Sequence, residues 1–441
     1  MIENIKEFTK KFLEKTQNKQ IQIISHHDTD GITSAAIASK ALQRLKKNFS
    51  LKIVKGLDEE VFEEISKTSE NKIILFLDLA SNSFSYIKNL KTDVFILDHH
   101  EINSQVPDNV TIVNPHINNN PEISGAGVTY FFARELDEQN TDLAYLAVIG
   151  MVGDTLEKDL NKFYNDIIKD SKVVIKKGLI LYPATRPINK ILEYSSEIYI
   201  PGVTGSNKGT CAFLRDIGIT PINGQYKTLI ELNQEELSRL ITAIAVQKAD
   251  SKDYSELIGN IYLINFFNRL EDARQISAMI NACSRLGESG TAVSLCLQNK
   301  IAKQKADNIY TEYKQNIVKA LENLPKLKKI EKNNYIIIHA EDKIKDTIIG
   351  TIASILSNSN SHQNGKAIIA MAYNNNKIKV SARVVGRNGN NIREILDSVI
   401  NEVGGEVGGH KYAAGCLLER EKEEKFLEVL QKRLEIEVVK F

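Results

Sequence analysis

The chain contains no apolar run of eighteen residues or more, which excludes a transmembrane helix and leaves no membrane partner to expect. Its four cysteines, Cys211, Cys283, Cys296 and Cys416, lie far apart and form no CxxC pair. That spacing argues against a zinc ribbon and a disulfide framework, and it fits a reducing cytoplasm. An excess of one charge is also missing: 57 Lys and Arg stand against 56 Asp and Glu, a net charge of +1. A nucleic-acid partner would therefore have to be held by a local groove and not by a general basic coat, and metal ions in a site would add positive charge that the count omits. Three catalytic signatures are absent as well. Without GxxxxGK[ST], ATP hydrolysis on a P-loop is excluded; no dinucleotide fingerprint follows the first strand; and no GxSxG elbow marks a serine hydrolase. The opening MIENIKEFTKKFLEK carries acidic residues and no apolar h-region, so it reads as an amphipathic helix and not a signal peptide.

What is present points to an α/β protein. At 441 residues the chain is too long for one ordinary core, and 42% hydrophobic residues suffice for globular packing. Apolar runs of strand length, 21–25, 51–56, 73–78 and 94–98, alternate with helical patterns over residues 20–150. This rhythm predicts a parallel sheet covered by helices, with ligands gathering at the C-terminal strand ends. Residues 155–275 read as helices and loops, with a turn-rich stretch at 198–210. A long helix over 291–324, ended by Pro325, leads through a lysine-rich linker to β-type runs at 334–340, 366–373 and 377–385. The expected organisation is a catalytic domain over 1–300 with a mostly helical insertion at about 160–270, a connecting helix and linker over 301–330, and a smaller α/β domain over 331–441.

The chemistry concentrates at the predicted strand ends. In SHHDTDG, Asp28 and Asp30 follow a buried strand and precede a helix; two carboxylates two residues apart can point at one site, or form an Asx turn capping the helix. Asp78 closes the run IILFLD, as a helix N-cap or as a ligand. Asp98-His99-His100 closes VFILD: one imidazole can bind a metal while the other faces a phosphate, with Asp98 orienting one of them from behind. Asp154, in GMVGDTLEKD, has no meaning alone. Together the aspartates and histidines can surround two divalent ions, which clamp the attacking and leaving oxygens of a phosphoryl displacement. Hard oxygen ligands suit Mg²⁺ or Mn²⁺, and an imidazole favours Mn²⁺. Far along the chain, VGGEVGGHKYAAG sets glycines 404, 405, 408 and 409 before His410, as a phosphate-approaching loop or an ordinary glycine-rich turn. Arg383 lies on a predicted strand, where it can fork onto a phosphate or be a surface charge.

Read in order, SHHDTDG, the aspartate of IILFLD, the DHH triplet and the aspartate of GDTLEKD resemble the four motifs of the DHH phosphoesterase superfamily, and GGHKYAAG resembles the signature of its DHHA1 partner domain. The segments 114–138, with SGAGV, and 280–297 resemble the RecJ branch, as do IIGTIASIL and KAIIAMAY. The resemblance implies an N-terminal parallel-sheet DHH domain joined by a long helix to a smaller DHHA1 domain, with the active site in the cleft between them. It implies two Mn²⁺ or Mg²⁺ ions held by Asp28, Asp30, Asp78, His99 and Asp154, all counted catalytic together with His100. It implies substrate contacts from His100, Arg285, Arg383, Gly408, Gly409 and His410, with Asp98 and His26 behind the ligands. The expected substrate is single-stranded DNA or RNA. A short oligoribonucleotide or small nucleotide is the second enzymatic expectation, and a scaffold at the replication fork, bound to GINS or other replication proteins, is the third. In contrast to bacterial RecJ, the upstream histidine stands only two residues before Asp28, and the OB-fold of longer RecJ proteins is expected to be missing.

Overall fold

The computed structural model describes residues 1–441 apart from 70, 118, 159, 182, 196–199, 201, 248–257, 359–361, 387–388 and 436–441. The chain divides into two units. One comprises Met1–Ile188, Ile222–Leu237 and Asp253–Tyr310; the other comprises Asn189–Pro221, Ser238–Lys252 and Thr311–Phe441.

The first unit is built on a parallel sheet. Strands β1 (Gln20–His26), β2 (Phe49–Val54), β3 (Lys72–Leu77), β4 (Val94–Leu97) and β5 (Val110–Val113) lie in the order β2-β1-β3-β4-β5. The isoleucine-rich runs form strands because their alternate side chains are buried on both faces. Ile21, Ile23, Ile73, Leu75, Leu77, Phe95 and Leu97 enter one core, while Ile24, Ile74, Phe76, Val94 and Ile96 enter the other. The first core is covered by α1 (Ile2–Lys15), α2 (Thr29–Arg44), α5 (Gly125–Leu136) and α6 (Ala144–Gly153), the second by α3 (Glu59–Thr68) and α4 (Phe84–Ile87). The strand run 110–113, short and bounded by polar residues, has no counterpart in the sequence reading.

The chain beyond α6, which contributes to both units, departs from expectation in two places. The stretch read as helices and loops contains α7 (Lys162–Ser171), α8 (Ile188–Glu193), α9 (Asn207–Asp216) and α10 (Gln234–Gln247), but also an antiparallel sheet of β6 (Val174–Leu179), β7 (Ile258–Phe266) and β8 (Arg269–Asp272). These strands lack clean alternation: β6 is exposed over its first four residues, and the middle of β7 is buried on consecutive positions. Of the turn-rich stretch 198–210, residues 198, 199 and 201 lie outside the described residues, and α9 begins within it. After α11 (Ala273–Arg285), the single long helix expected over 291–324 is two helices, α12 (Ser289–Cys296) and α13 (Lys300–Asn323). Gln298 takes a left-handed φ of 57°, and the Asn299 side chain accepts from the Ile301 and Ala302 N–H groups to start the second helix. The two helices share one apolar periodicity, so pattern alone does not show the break.

The second unit centres on a six-stranded sheet ordered β13-β14-β12-β11-β10-β9, formed by β9 (Lys328–Glu331), β10 (Tyr335–His339), β11 (Ala367–Asn374), β12 (Lys377–Val384), β13 (Glu406–His410) and β14 (Ala413–Glu419). Only β10 and β11 run parallel, joined through α14 (Asp346–Asn358). Helices α15 (Ile392–Val403) and α16 (Glu423–Glu435) cover the opposite core. The glycine-rich segment expected as a loop is here a hairpin: Gly408 pairs with Gly415 and Gly409 with Ala414. Glycine pattern hid the strand, yet glycine is what permits it. At Gly409, φ is 115° and an added Cβ would stand 2.5 Å from the Ala413 carbonyl oxygen. All four cysteines are free, and no helix among the described residues is long and apolar enough to cross a membrane.

Glycines also set how closely the helices of the first unit approach the strand ends. A Cβ on Gly150, in α6, would lie 2.4 Å from Asp30 Oδ1 and 2.6 Å from the Ala126 Cβ. One on Gly125, opening α5, would lie 2.7 Å from Asp78. Gly150→Ala is expected to lower stability by about 1–3 kcal/mol despite alanine's better helix propensity. Gly290→Ala, in α12 with nothing near its Cβ, is expected to be neutral or mildly stabilising. Thermal melts of the two variants check this, and equal melting temperatures would remove the packing argument.

Candidate metal centre

Strands β1, β3 and β4 are neighbours, so their C-terminal ends deliver three loops to one edge of the sheet. The strand order reverses direction between β1 and β3, the position where open parallel sheets form a crevice. At the end of β1, Ser25 Oγ donates to the Gly31 and Leu77 carbonyls, tying the first loop to β3. Asp28 caps α2, its Oδ1 accepting from the Gly31 N–H at 3.0 Å, which leaves Oδ2 facing the His26 ring. Asp30 lies fully buried in the first turn of α2. It accepts the Gly125 and Ala126 N–H groups, at 2.5 and 3.0 Å, from the N-terminus of α5. The SGAGV segment thus has a physical role: small residues let a helix start come close enough to hold a buried carboxylate. Ser124, the cap of that helix, donates its N–H to the hydroxyl of buried Tyr164.

Two buried aspartates at adjacent strand ends differ completely in their surroundings. Asp98, after β4, is saturated: Oδ1 accepts from the His99 and His100 N–H groups and pairs with His100 Nδ1 at 2.8 Å, and Oδ2 accepts from the Ser81 N–H. Burial pushes its pKa up, but the hydrogen bond and charge of His100, with His99 and Ser81 beside it, together hold it below the usual carboxylate range. Asp78, after β3, is 1% exposed, and neither oxygen accepts a hydrogen bond from the described residues. Its backbone takes the left-handed region, φ 58°, so it ends the strand and turns its carboxylate into the crevice. A helix cap would have spent one oxygen on a backbone N–H; Asp78 caps nothing.

Around Asp78 the candidate ligands named from the sequence converge. His99 Nε2 lies 3.3 Å from Asp78 Oδ1, 3.2 Å from Asp154 Oδ2 and 3.8 Å from Asp30 Oδ2. His26 Nδ1 lies 2.9 Å from Asp28 Oδ2 and 3.7 Å from Asp78 Oδ2. The sequence reading set His26 behind the ligands; here its ring nitrogen faces both carboxylates. Three groups bring donor atoms within 4.8 Å of one another: His26 with Asp28 and Asp78, Asp30 with His99 and Asp154, and Asp78 with His99 and His100. Burial raises Asp30 well above the carboxylate range, and the Asp78 and Asp154 charges raise it further. Asp154 is pushed up to about 6, by burial above all, against the His99 hydrogen bond. Burial disfavours a charged His99, yet the Asp154 and Asp78 carboxylates beside it raise its pKa. Buried carboxylates crowd around the His99 ring here, and an unpartnered buried carboxylate is costly unless a cation neutralises it. The donor set therefore fits divalent cations.

Asn114, ending β5, had no role in the sequence. Its Nδ2 donates to Ser81 Oγ and the His100 carbonyl, bracing the DHH loop. Arg285 is the exposed last residue of α11, outside the three donor groups. In the second unit, Arg383 and His410 both register with Ala413, from either side of β14, so they share one face of that sheet. Arg383 is engaged locally, with Ser354 Oγ at 3.1 Å and the Ala382 carbonyl at 2.8 Å.

Comparison with known proteins accords with this architecture. The model of the DHH family N-terminal domain matches residues 20–151, that of the DHH-CID domain 181–258, and that of the DHHA1 domain 332–435. An uncharacterized protein of Methanocaldococcus jannaschii is 32% identical over 97% of both chains. The single-stranded-DNA-specific exonuclease RecJ of Bacillus subtilis is 30% identical over 32% of this chain and 19% of its own length. RecJ of Thermus thermophilus in complex with Mn²⁺ shares the fold with a TM-score of 0.62 at 18% identity, over 98% of this chain and 54% of that one. Cdc45 of Entamoeba histolytica shares it with a TM-score of 0.66 at 13% identity, over 98% and 99%. The chain belongs to the DHH/DHHA1 family of metal-dependent phosphoesterases, in its RecJ-like group.

Proposed function

We propose that the protein hydrolyses phosphodiester bonds of single-stranded DNA or RNA from an end, using two Mn²⁺ or Mg²⁺ ions. The observation that carries the reading is Asp78, whose two buried oxygens accept no hydrogen bond among the described residues and face separate donor groups. His26, Asp28 and Asp78 would hold one ion; Asp30, Asp78, His99 and Asp154 the other. When bound, such a pair supplies Lewis acidity and a hydroxide nucleophile at neutral pH. Asp98 holds His100 by Nδ1 and directs Nε2 outward, where it donates to a non-bridging phosphate oxygen. Burial lowers the His100 pKa, but the Asp98 hydrogen bond and charge raise it overall, which favours the protonated ring that this role needs. Arg383, Gly408, Gly409 and His410 would hold the strand's phosphates, as would Arg285.

The B. subtilis RecJ likeness supports a single-stranded substrate. The Cdc45 likeness in fold motivates a second reading, a scaffold at the replication fork that binds GINS. The complete set of candidate ligands supports turnover over scaffolding alone.

End-labelled single strands of DNA and RNA, about twenty nucleotides long, are expected to be shortened with Mn²⁺ and left intact with EDTA. Cleavage confined to fragments of a few nucleotides favours the short-substrate alternative, and no cleavage with any metal favours the scaffold. His99→Ala is expected to lower kcat at least a hundredfold, while His410→Ala raises KM more than it lowers kcat; steady-state kinetics separate these. Mn²⁺ at about a hundred times its Kd is expected to stabilise the wild type by about 2.7 kcal/mol. Asp78→Asn, which removes a buried charge, is expected to melt higher than wild type in EDTA at pH 7 and to lose the Mn²⁺ shift. A lower melting point in EDTA would show that Asp78 is satisfied without metal.

A further inference from the structure

Asp154 reaches the cluster from the end of α6, on a turn that is not relaxed. The Leu156 N–H donates to the Met151 carbonyl at 3.0 Å and the Thr155 N–H to Val152 at 3.2 Å, the double closure of a Schellman turn. The left-handed position of that turn ordinarily holds glycine, and here it holds Thr155, at φ 59°. A β-branched residue there is strained by roughly 1–3 kcal/mol, and it persists only where the surroundings fix it. What fixes it lies two residues further on. Glu157 is 9% exposed and its Oε1 meets Arg274 Nη2 at 3.2 Å, with Arg274 itself 11% exposed. The Tyr262 hydroxyl, from β7, donates to the Glu157 carbonyl at 3.2 Å, and Arg274 Nη2 donates to the Asn260 carbonyl of the same strand.

This ion pair is poorly suited to stabilising the fold. Glu157 Oε2 and Arg274 Nη1 are buried without a hydrogen-bond partner among the described residues. A buried pair satisfied on one side only repays little of its desolvation, and an apolar pair of similar volume would serve stability as well or better. The strain at Thr155 and the incomplete pair make sense together as a device that holds position.

We infer that Glu157, Arg274 and Tyr262 form a clamp that positions Asp154 as a metal ligand, with β7 and the start of α11 as its fixed side. The inference rests on the metal reading above. These are positioning residues: they act through Asp154, and the property they set is affinity for the ion on the Asp154 side of the cluster.

The test uses the full chain, with Mn²⁺ titration calorimetry beside thermal melts in EDTA. The double variant Glu157→Leu/Arg274→Met is expected to melt within a few degrees of wild type, to keep one tight ion, and to bind the other about ten- to a hundredfold more weakly, the loss usual when partners behind a ligand are removed. Equal affinity for both ions in the two proteins overturns the clamp. A wild type that binds no Mn²⁺ overturns the metal reading, a distinct result. If the double variant melts far lower, Tyr262→Phe decides: a loss of about three- to tenfold for one ion at unchanged melting supports the clamp, and unchanged affinity overturns it.

Discussion

Asp78 ends a strand whose five preceding residues are all buried, in a left-handed backbone conformation, with no hydrogen bond to either carboxylate oxygen among the described residues. Much of the N-terminal unit can be understood as the consequence of putting a charge in such a place. A buried carboxylate needs either donors or a cation. Asp98, one strand away, has taken the first solution with four donors; Asp78 is left with the second. The imidazoles of His26 and His99 stand on either side of Asp78, and the remaining aspartates stand beyond them.

Concentrating negative charge at one point requires rigid support. The α5 N-terminus supplies two N–H donors to Asp30, and glycines at 31, 125, 150 and 153 let helices pass at distances that a Cβ would forbid. Asn114 and Ser81 brace the loop that carries the two histidines. The buried helix faces do the same on a larger scale: Phe8 and Phe12 of α1 meet Phe95 and Phe132 edge to face at 5.2–5.3 Å, fixing α1 and α5 against the sheet. Carboxylates crowded into so buried a place are costly to charge: burial above all, and the neighbouring carboxylates after it, raise the pKa of Asp30 and Asp154.

The second unit has a different design. Its mostly antiparallel sheet carries no cluster of carboxylates and imidazoles among the metal-type groups found in the described residues. It presents instead one basic row, Arg383 and His410 across Ala413, next to a glycine hairpin with exposed backbone.

Sequence alone determined the parallel sheet, because its strands are apolar runs too regular for anything else, and it determined which carboxylates and histidines stand at their ends. It also determined the family, through the order of the motifs. Tertiary structure decided what the same residue types do. Asp78 and Asp98 look alike in sequence, each an aspartate closing an apolar strand; only the surrounding donors separate a candidate ligand from a bracket for His100. His26 was legible as a residue near the site, but its approach to Asp28 and Asp78 depends on the turn at Gly31. The hairpin at Gly408 and Gly409, the break at Gln298, and the strands β6–β8 were hidden because glycine, a shared helical period and irregular burial erase the periodicity that sequence reading relies on. The clamp at Glu157 has no local signature at all, since its partners lie more than a hundred residues away along the chain.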